Sequence, residues 1–337
     1  MPKAPGAPAR AITSGSSASA PANPYDEIVD AEIVEEDEFT SLEDTKEFLK
    51  ALYFGTEGTG KTTAVAFMAN LPGDGDVIVI NAEAGFKKGP LKALGVRTEL
   101  LKIWNPPGNG VMTYEKLERL YFRTAARLRE DPDSVKGVCM DSLTEIVNKI
   151  LEQASFTMYE REQRNQKKAE EDKRYSPEVV ELQDYGLMTS QVRKLMRKFR
   201  DLPCHFAATA LETEAAGEGE YSHSKKQAAP EMTPKLRTSV LGYVDVALRL
   251  TSETLPVSEG ESETLITART KPSALVRAKD RFGLLPRDLP EPRFDRLVEY
   301  IEGETVYADD EVFPLYAQAR ERAAAYKEQK AAAKSAK

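Results

Sequence analysis

From about residue 48 onward, short apolar runs alternate with longer stretches of helical periodicity. The runs at 49–54, 76–81, 99–104, 137–141 and 205–210 are too short for helices and nearly continuous in apolar residues. That pattern predicts strands buried on both faces. Helical patterns occupy 61–70, 87–95, 113–130, 143–165 and 181–201. Strand following helix in this way predicts an α/β fold, a mostly parallel twisted sheet with helices on both faces. After a polar stretch at 212–236, the segments 240–250, 263–270 and 275–279 predict extra C-terminal strands, the last of them antiparallel. Helices follow at 292–302 and 309–330.

The ends of the chain read differently. Residues 1–24 are rich in Pro, Ala, Ser and Gly and bury too little apolar area to offset chain entropy. Residues 25–46 are acidic, with Ile28, Val29, Ile33, Val34 and Phe39 interspersed. The layout expected is a disordered leader at 1–46, acidic from 25, a core at 47–305, and a C-terminal helix with a basic tail at 306–337. The leader holds ten acidic and three basic residues, so it carries nearly all of the −8 net charge and the body is close to neutral. It reads as a solvated segment or as a docking peptide for a partner, such as a single-strand-binding or replication protein. From Tyr316 the chain is Ala-rich, with six basic residues and two acids, the pattern of a solvated helix or of a tail that touches DNA.

Composition removes several classes. Two cysteines, Cys139 and Cys204, imply no disulfide framework and suit a reducing cytoplasm, the host's if a phage encodes the chain. His205 and His223 with no Cys-x-x-Cys pair give no zinc site. No apolar run approaches the roughly 18 residues of a membrane helix, and the N-terminus lacks the apolar stretch of a signal peptide.

Gly55-Thr56-Glu57-Gly58-Thr59-Gly60-Lys61-Thr62, followed by Thr63, matches the G-x-x-x-x-G-K-[ST] pattern. Its glycines let successive N–H groups point into one concavity that suits anionic oxygens. Lys61 is placed to reach the β- and γ-phosphates, and the Thr62 hydroxyl to ligate Mg²⁺. An acid at the end of a second buried strand should complete the metal site, and Asp141 ends the run Gly137-Val138-Cys139-Met140. The competing reading of Asp141 is a helix N-cap. Hydrolysis also needs a group that orients the attacking water. Glu83, just beyond 76–81, is the candidate, on the sheet edge where ligands of open α/β sheets gather.

This combination, with Ile80-Asn81-Ala82-Glu83-Ala84, Leu94-Gly95-Val96 and Met140-Asp141-Ser142, is similar to the RecA family of recombinase ATPases. More narrowly it resembles RecA-like core ATPases of bacteriophages, including those described as single-strand annealing proteins. Leu182-Gln183-Asp184-Tyr185-Gly186, Val276-Arg277-Ala278-Lys279-Asp280-Arg281 and Gly283-Leu284-Leu285-Pro286 carry that narrower likeness, over about 48–302. The resemblance implies a RecA-like P-loop NTPase fold, ATP and Mg²⁺ as cofactors, Lys61 and Thr62 at the triphosphate, Asp141 as second metal contact and Glu83 as water activator. Two departures stand out. Asn81 replaces the family's Asp. Thr209-Ala210-Leu211-Glu212 lies where RecA has a γ-phosphate-sensing Gln, leaving Thr209 as the available polar contact.

The resemblance also implies loops that bind DNA along a ring or filament axis. The segment 213–237, with Tyr221, His223, Lys225, Lys226, Lys235 and Arg237, suits phosphates and stacked bases, but its four glutamates also suit a merely mobile loop. The region 159–175 is a second candidate, although its alternating charges fit a solvated helix face. Of Arg277, Lys279 and Arg281, the resemblance places Lys279 and Arg281 foremost, reaching the γ-phosphate held by a neighbouring subunit. The expected activity is a DNA-stimulated ATPase, self-assembling and binding single-stranded DNA, that promotes phage recombination or strand annealing. A helicase or loader on the same core, a P-loop kinase, and a nucleotide-dependent switch or scaffold without a DNA role are the alternatives.

Overall fold

The computed structural model describes residues 41, 43, 45–108, 110–216, 223, 226–303 and 314–335. The chain divides into two units, 1–47 and 48–337. The expected leader lies almost wholly outside the described residues. In the first unit, the Thr45 hydroxyl donates to the Ser41 carbonyl at 3.0 Å.

In the second unit a parallel sheet is built from β1 (Lys50–Phe54), β2 (Asp76–Asn81), β3 (Leu101–Trp104), β4 (Val135–Asp141), β5 (His205–Ala210) and β8 (Val246–Ser258). Their spatial order is β3-β2-β4-β5-β1-β8. One strand, β5, therefore separates β1, which feeds the P-loop, from β4, which ends in Asp141. Beyond β8 the sheet turns antiparallel through β9 (Glu261–Arg269) and β11 (Asp288–Pro290), with the short β10 (Lys279–Asp280) also pairing with β8.

Period-2 alternation sends each strand's side chains into two cores. Leu52, Phe54, Ile78, Ile80, Val138, Met140, Phe206 and Ala208 face α3 (Tyr114–Glu130), α4 (Leu143–Arg164), α5 (Leu182–Arg200) and α6 (Pro234–Tyr243). Ala51, Tyr53, Val77, Val79, Cys139 and Ala207 face α1 (Lys61–Ala66), α2 (Lys88–Ala93), α7 (Phe294–Ile301) and α8 (Pro314–Ser335). Phe54 is fully buried, so its truncation to Ala should cost about 3–5 kcal/mol.

The first five strands and five helices lie where the periodicity places them, with the helix expected at 61–70 tightening into a 3-10 turn at Phe67–Asn70. Farther on, three expectations are corrected. The apolar run 240–250 is not one strand: residues to Tyr243 close helix α6, and β8 starts at Val246. Thr233-Pro234 was the missed signal, because Pro at the first helical position needs no N–H partner. Within the polar stretch 212–236, β6 (Glu212–Ala215) pairs antiparallel with β7 (Gln227–Pro230), and the residues from Pro234 open α6. In 275–279 only Lys279 belongs to a strand, and Arg277 is buried, donating to Gln227 Oε1 at 3.0 Å and to the Ala216 carbonyl. The C-terminal helix is not simply solvated, since Ala319 is buried in the core that also holds Leu248 and Leu250 of β8.

Candidate functional site

The C-terminal edge of the parallel strands carries the polar cluster. Within the P-loop Gly60 has φ 79°, a left-handed conformation that calls for glycine. Thr59 is buried and closes the loop through its hydroxyl on the Thr56 carbonyl at 2.8 Å. The Lys61 ammonium donates to the carbonyls of Gly55 (2.9 Å) and Thr56 (2.7 Å). Burial lowers its pKa, opposed by the charges of Glu83, Asp141, Glu57 and Glu212.

Asp141 and Cys139 share a strand parity, so Asp141 points to the face that α1 covers. There the Thr62 hydroxyl donates to Asp141 Oδ1 and Oδ2 at 3.1 and 3.0 Å, and the Thr209 hydroxyl donates to Oδ1. Asp141 is 2% exposed. Burial raises its pKa, the two hydroxyl bonds oppose the rise, Glu83 adds to it and Lys61 offsets it. The capping reading goes instead to Ser142, whose hydroxyl accepts from Glu145 N at 3.3 Å. That same hydroxyl donates to Glu83 Oε1, and the Glu83 and Ala82 amides donate to the Asp141 carbonyl at 3.3 and 2.7 Å. Glu83 is thus held beside Asp141 by both its main chain and its side chain.

Asn81, where the resemblance leads one to look for Asp, pairs with Asp141 across the β2–β4 ladder and accepts from Gly85 N at 3.0 Å. This turn brings Gly85 over the Thr62–Asp141 pair. A Cβ on Gly85 would stand 2.9 Å from Asp141 Oδ2 and 3.2 Å from Thr62 Oγ1. The site therefore offers a hydroxyl and a carboxylate, both hard oxygen donors, with the space above them left open by glycine. Such a donor set fits Mg²⁺, which prefers one or two protein oxygens completed by water and substrate phosphate. When bound, the ion would neutralise charge on phosphate oxygens, with Thr62 and Asp141 holding it.

Lys279 and Arg281 lie elsewhere. β10 pairs with the start of β8, at the opposite end of the sheet from the P-loop. Lys279 donates to the carbonyls of Leu241 (2.8 Å) and Val244 (2.6 Å), and Arg281 pairs with Asp245 at 2.6 Å. Within one chain they do not meet the P-loop. Of the DNA candidates, Tyr221 and Lys225 lie outside the described residues, Lys226 pairs with Glu214, and Arg237 is buried, donating to the Pro230 and Met232 carbonyls at 2.9 Å each. In the region 159–175, Arg174 is buried and forked onto Asp184 at 2.8 and 3.1 Å, while Arg164, Lys168 and Lys173 pair with Glu160, Glu162 and Glu170. Four of the basic residues of this region are thus engaged in ion pairs within the chain.

Sequence reasoning assigned no role in the site to Gly85, to Arg249 or to the Ser142 bond to Glu83. Arg249 grips Glu212 with two bonds of 2.7 and 2.8 Å. A cleft of about 620 Å³ opens beside the Glu83 turn, lined in part by Asn81, Ala82, Lys149, Gln153 and Phe156. No helix among the described residues is long and apolar enough to cross a membrane.

Against known proteins, a family model described as AAA domain (AAA_24) matches residues 47–282, most of the described core. No curated protein matches the chain.

Proposed function

The chain belongs to this AAA-domain family of P-loop ATPases, and from that premise we propose that it couples ATP hydrolysis to single-stranded DNA in phage recombination or strand annealing. In this reading Lys61 and the backbone of residues 55–63 hold the triphosphate, Thr62 and Asp141 hold Mg²⁺, and Glu83 orients the attacking water. Hydrogen bonding of Ser142 to Glu83 keeps that carboxylate at the sheet edge until water and phosphate compete for it.

One observation carries the DNA part of the reading. Strand β5 contributes Thr209 to Asp141 and, three residues later, becomes the root of the β6–β7 hairpin. The connection between those two strands is the middle of the candidate DNA segment 213–237. A ligand on that loop and a nucleotide at Asp141 would pull on one continuous strand. Copies of the chain would assemble as a ring or filament, with Lys279 and Arg281 presented to a neighbour's phosphates. The test is steady-state ATP hydrolysis with and without single-stranded DNA, with Lys61→Ala as the blank. Stimulation of several-fold is expected. Hydrolysis unmoved by DNA, with no DNA retained on the protein, would sink the recombination reading.

The cleft beside Glu83 favours a second reading, a phosphotransferase whose acceptor occupies that space. Transfer of labelled γ-phosphate to an acceptor rather than to water would distinguish it.

A further inference from the structure

Arg249 lies on β8 opposite Phe54, the last residue of β1 before the P-loop. The next residue, Leu250, places its carbonyl 2.6 Å from where a Cβ of Gly55 would be, so this stretch of β8 packs directly on the first residue of the loop. Arg249 is half-buried and forked onto Glu212 through Nε to Oε2 at 2.7 Å and an Nη to Oε1 at 2.8 Å. Glu212 is the first residue of the hairpin and pairs with Pro230 on its return strand. The hairpin root has a second tether at the site: the Leu211 amide donates to Thr144 Oγ1 at 3.0 Å, two residues past Ser142. A guanidinium fork donates to a carboxylate or a phosphate in the same bidentate geometry. A carboxylate left near the phosphates without its cation is repelled by them and buried without compensation.

We propose that Arg249 is a nucleotide-binding residue that exchanges Glu212 for the terminal phosphate of the bound nucleotide, and that this exchange frees the root of the β6–β7 hairpin. The proposal rests on the ATPase reading and extends it, since it names the residue through which a triphosphate differs from a diphosphate. Arg249 makes the hairpin tight without a γ-phosphate and loose with one. Glu212 acts as the internal competitor that the γ-phosphate must displace.

The experiment measures two things on the full chain. The first is affinity for ADP and for the slowly hydrolysed analogue ATPγS, each with Mg²⁺. The second is hydrogen exchange at the amides of 212–215 and 227–230 in each bound state. Wild type should exchange several-fold faster in this hairpin with ATPγS than with ADP. Glu212→Gln should exchange fast in both states. Arg249→Gln should do the same, and should also lose about tenfold of the ATPγS preference over ADP, the worth of one charged hydrogen-bonded contact. Arg249→Lys, which keeps charge but not the fork, should recover only part of that preference. A merely structural ion pair would loosen the hairpin in both variants and leave the ATPγS-to-ADP ratio untouched, which would overturn the exchange. Equal hairpin protection in the two bound states of wild type would overturn it as well. Failure of both nucleotides to bind would instead overturn the ATPase reading, and this inference with it.

Discussion

Two lysines at opposite ends of the sheet are built alike and placed to opposite purposes. Lys61, at the C-terminal edge, donates to the carbonyls of Gly55 and Thr56. Lys279, at the other edge, donates to those of Leu241 and Val244. Burial lowers the pKa of both. Their neighbourhoods differ. Four carboxylates act on Lys61, whereas Lys279 has Arg281 pushing its pKa down further and Asp245 opposing. Lys61 sits on loop carbonyls that anionic oxygens can replace, whereas Lys279 ties the last turn of α6 to the start of β8, so the same hydrogen bonds serve ligand binding at one end and fastening at the other. A lysine's chemistry follows from what its carbonyl partners belong to.

The largest separation between the two ends should come from Lys61→Ala. Loss of a cation aimed at developing phosphoryl charge should cut kcat by about 10²–10³-fold, with unfolding by denaturant little changed. Lys279→Ala should instead lower stability by about 1–3 kcal/mol, the scale of a charged hydrogen bond and of the carbonyls it leaves unpaired. Mixing the two variants then sharpens the comparison. If Lys279 completes a neighbour's site, a Lys61→Ala subunit can lend its Lys279 to the intact P-loop of a Lys279→Ala subunit. Activity of the mixture should exceed that of either variant alone, and no recovery would confine Lys279 to its fastening role.

A smaller effect is expected from Gly85→Ala. The added Cβ must displace the Asp141 carboxylate or the turn itself, which should reduce kcat/KM for the Mg²⁺ nucleotide about 10- to 100-fold and leave the thermal midpoint nearly fixed. Retained activity with unchanged Mg²⁺ dependence would remove Gly85 from the site.

The smallest effect is on stability and concerns pH. Burial raises the folded-state pKa of Asp141, so the native chain holds its proton to higher pH than the unfolded chain does. Stability is then lost as pH rises through the folded value, and the burial cost is fully present at neutral pH. Asp141→Asn should abolish hydrolysis yet raise the thermal midpoint at pH 7 by a few degrees; about 1 kcal/mol corresponds to roughly 2–4 °C in a domain of this size. The gap between variant and wild type should narrow as pH falls toward the ordinary carboxylate range. A variant less stable than wild type at pH 7 would show that the hydroxyl bonds from Thr62 and Thr209 outweigh the burial.

How far these residues were legible in the sequence depends on the range of the signal. The strands ending at Phe54, Asn81 and Asp141 announce themselves by apolar runs that a polar residue or glycine cuts off, and the one ending at Ala210 runs only one residue farther before Glu212. The P-loop is a contiguous motif whose residue types have few other uses. Thr209 was visible as the one hydroxyl in a Phe-Ala-Ala-Thr-Ala run. Its partner was not, because the parity that aims Thr209 at Asp141 depends on β5 lying next to β4. Helix α6 was obscured by the apolar run that follows it, although Thr233-Pro234 marked its start. The buried positions of Arg174, Arg237 and Arg277 were unreadable: an arginine beside glutamates looks the same in sequence whether it faces solvent or forks onto a buried Asp184.

What the amino-acid sequence determined by itself is whatever rests on local periodicity and contiguous chemistry: the five-strand alternating core, the phosphate loop, and the acid at each of two strand ends. Only the tertiary structure decided which strand ends meet. The order β3-β2-β4-β5-β1-β8 brings Thr62, Asp141, Thr209 and Glu83 to one edge, joins Arg249 to Glu212 across 37 residues of chain, and sends Lys279 and Arg281 to the far edge. The physical reason is that pairing order is chosen by the packing of two helix layers on a shared sheet. That choice is a sum of many non-local contacts, and no single stretch of sequence carries it.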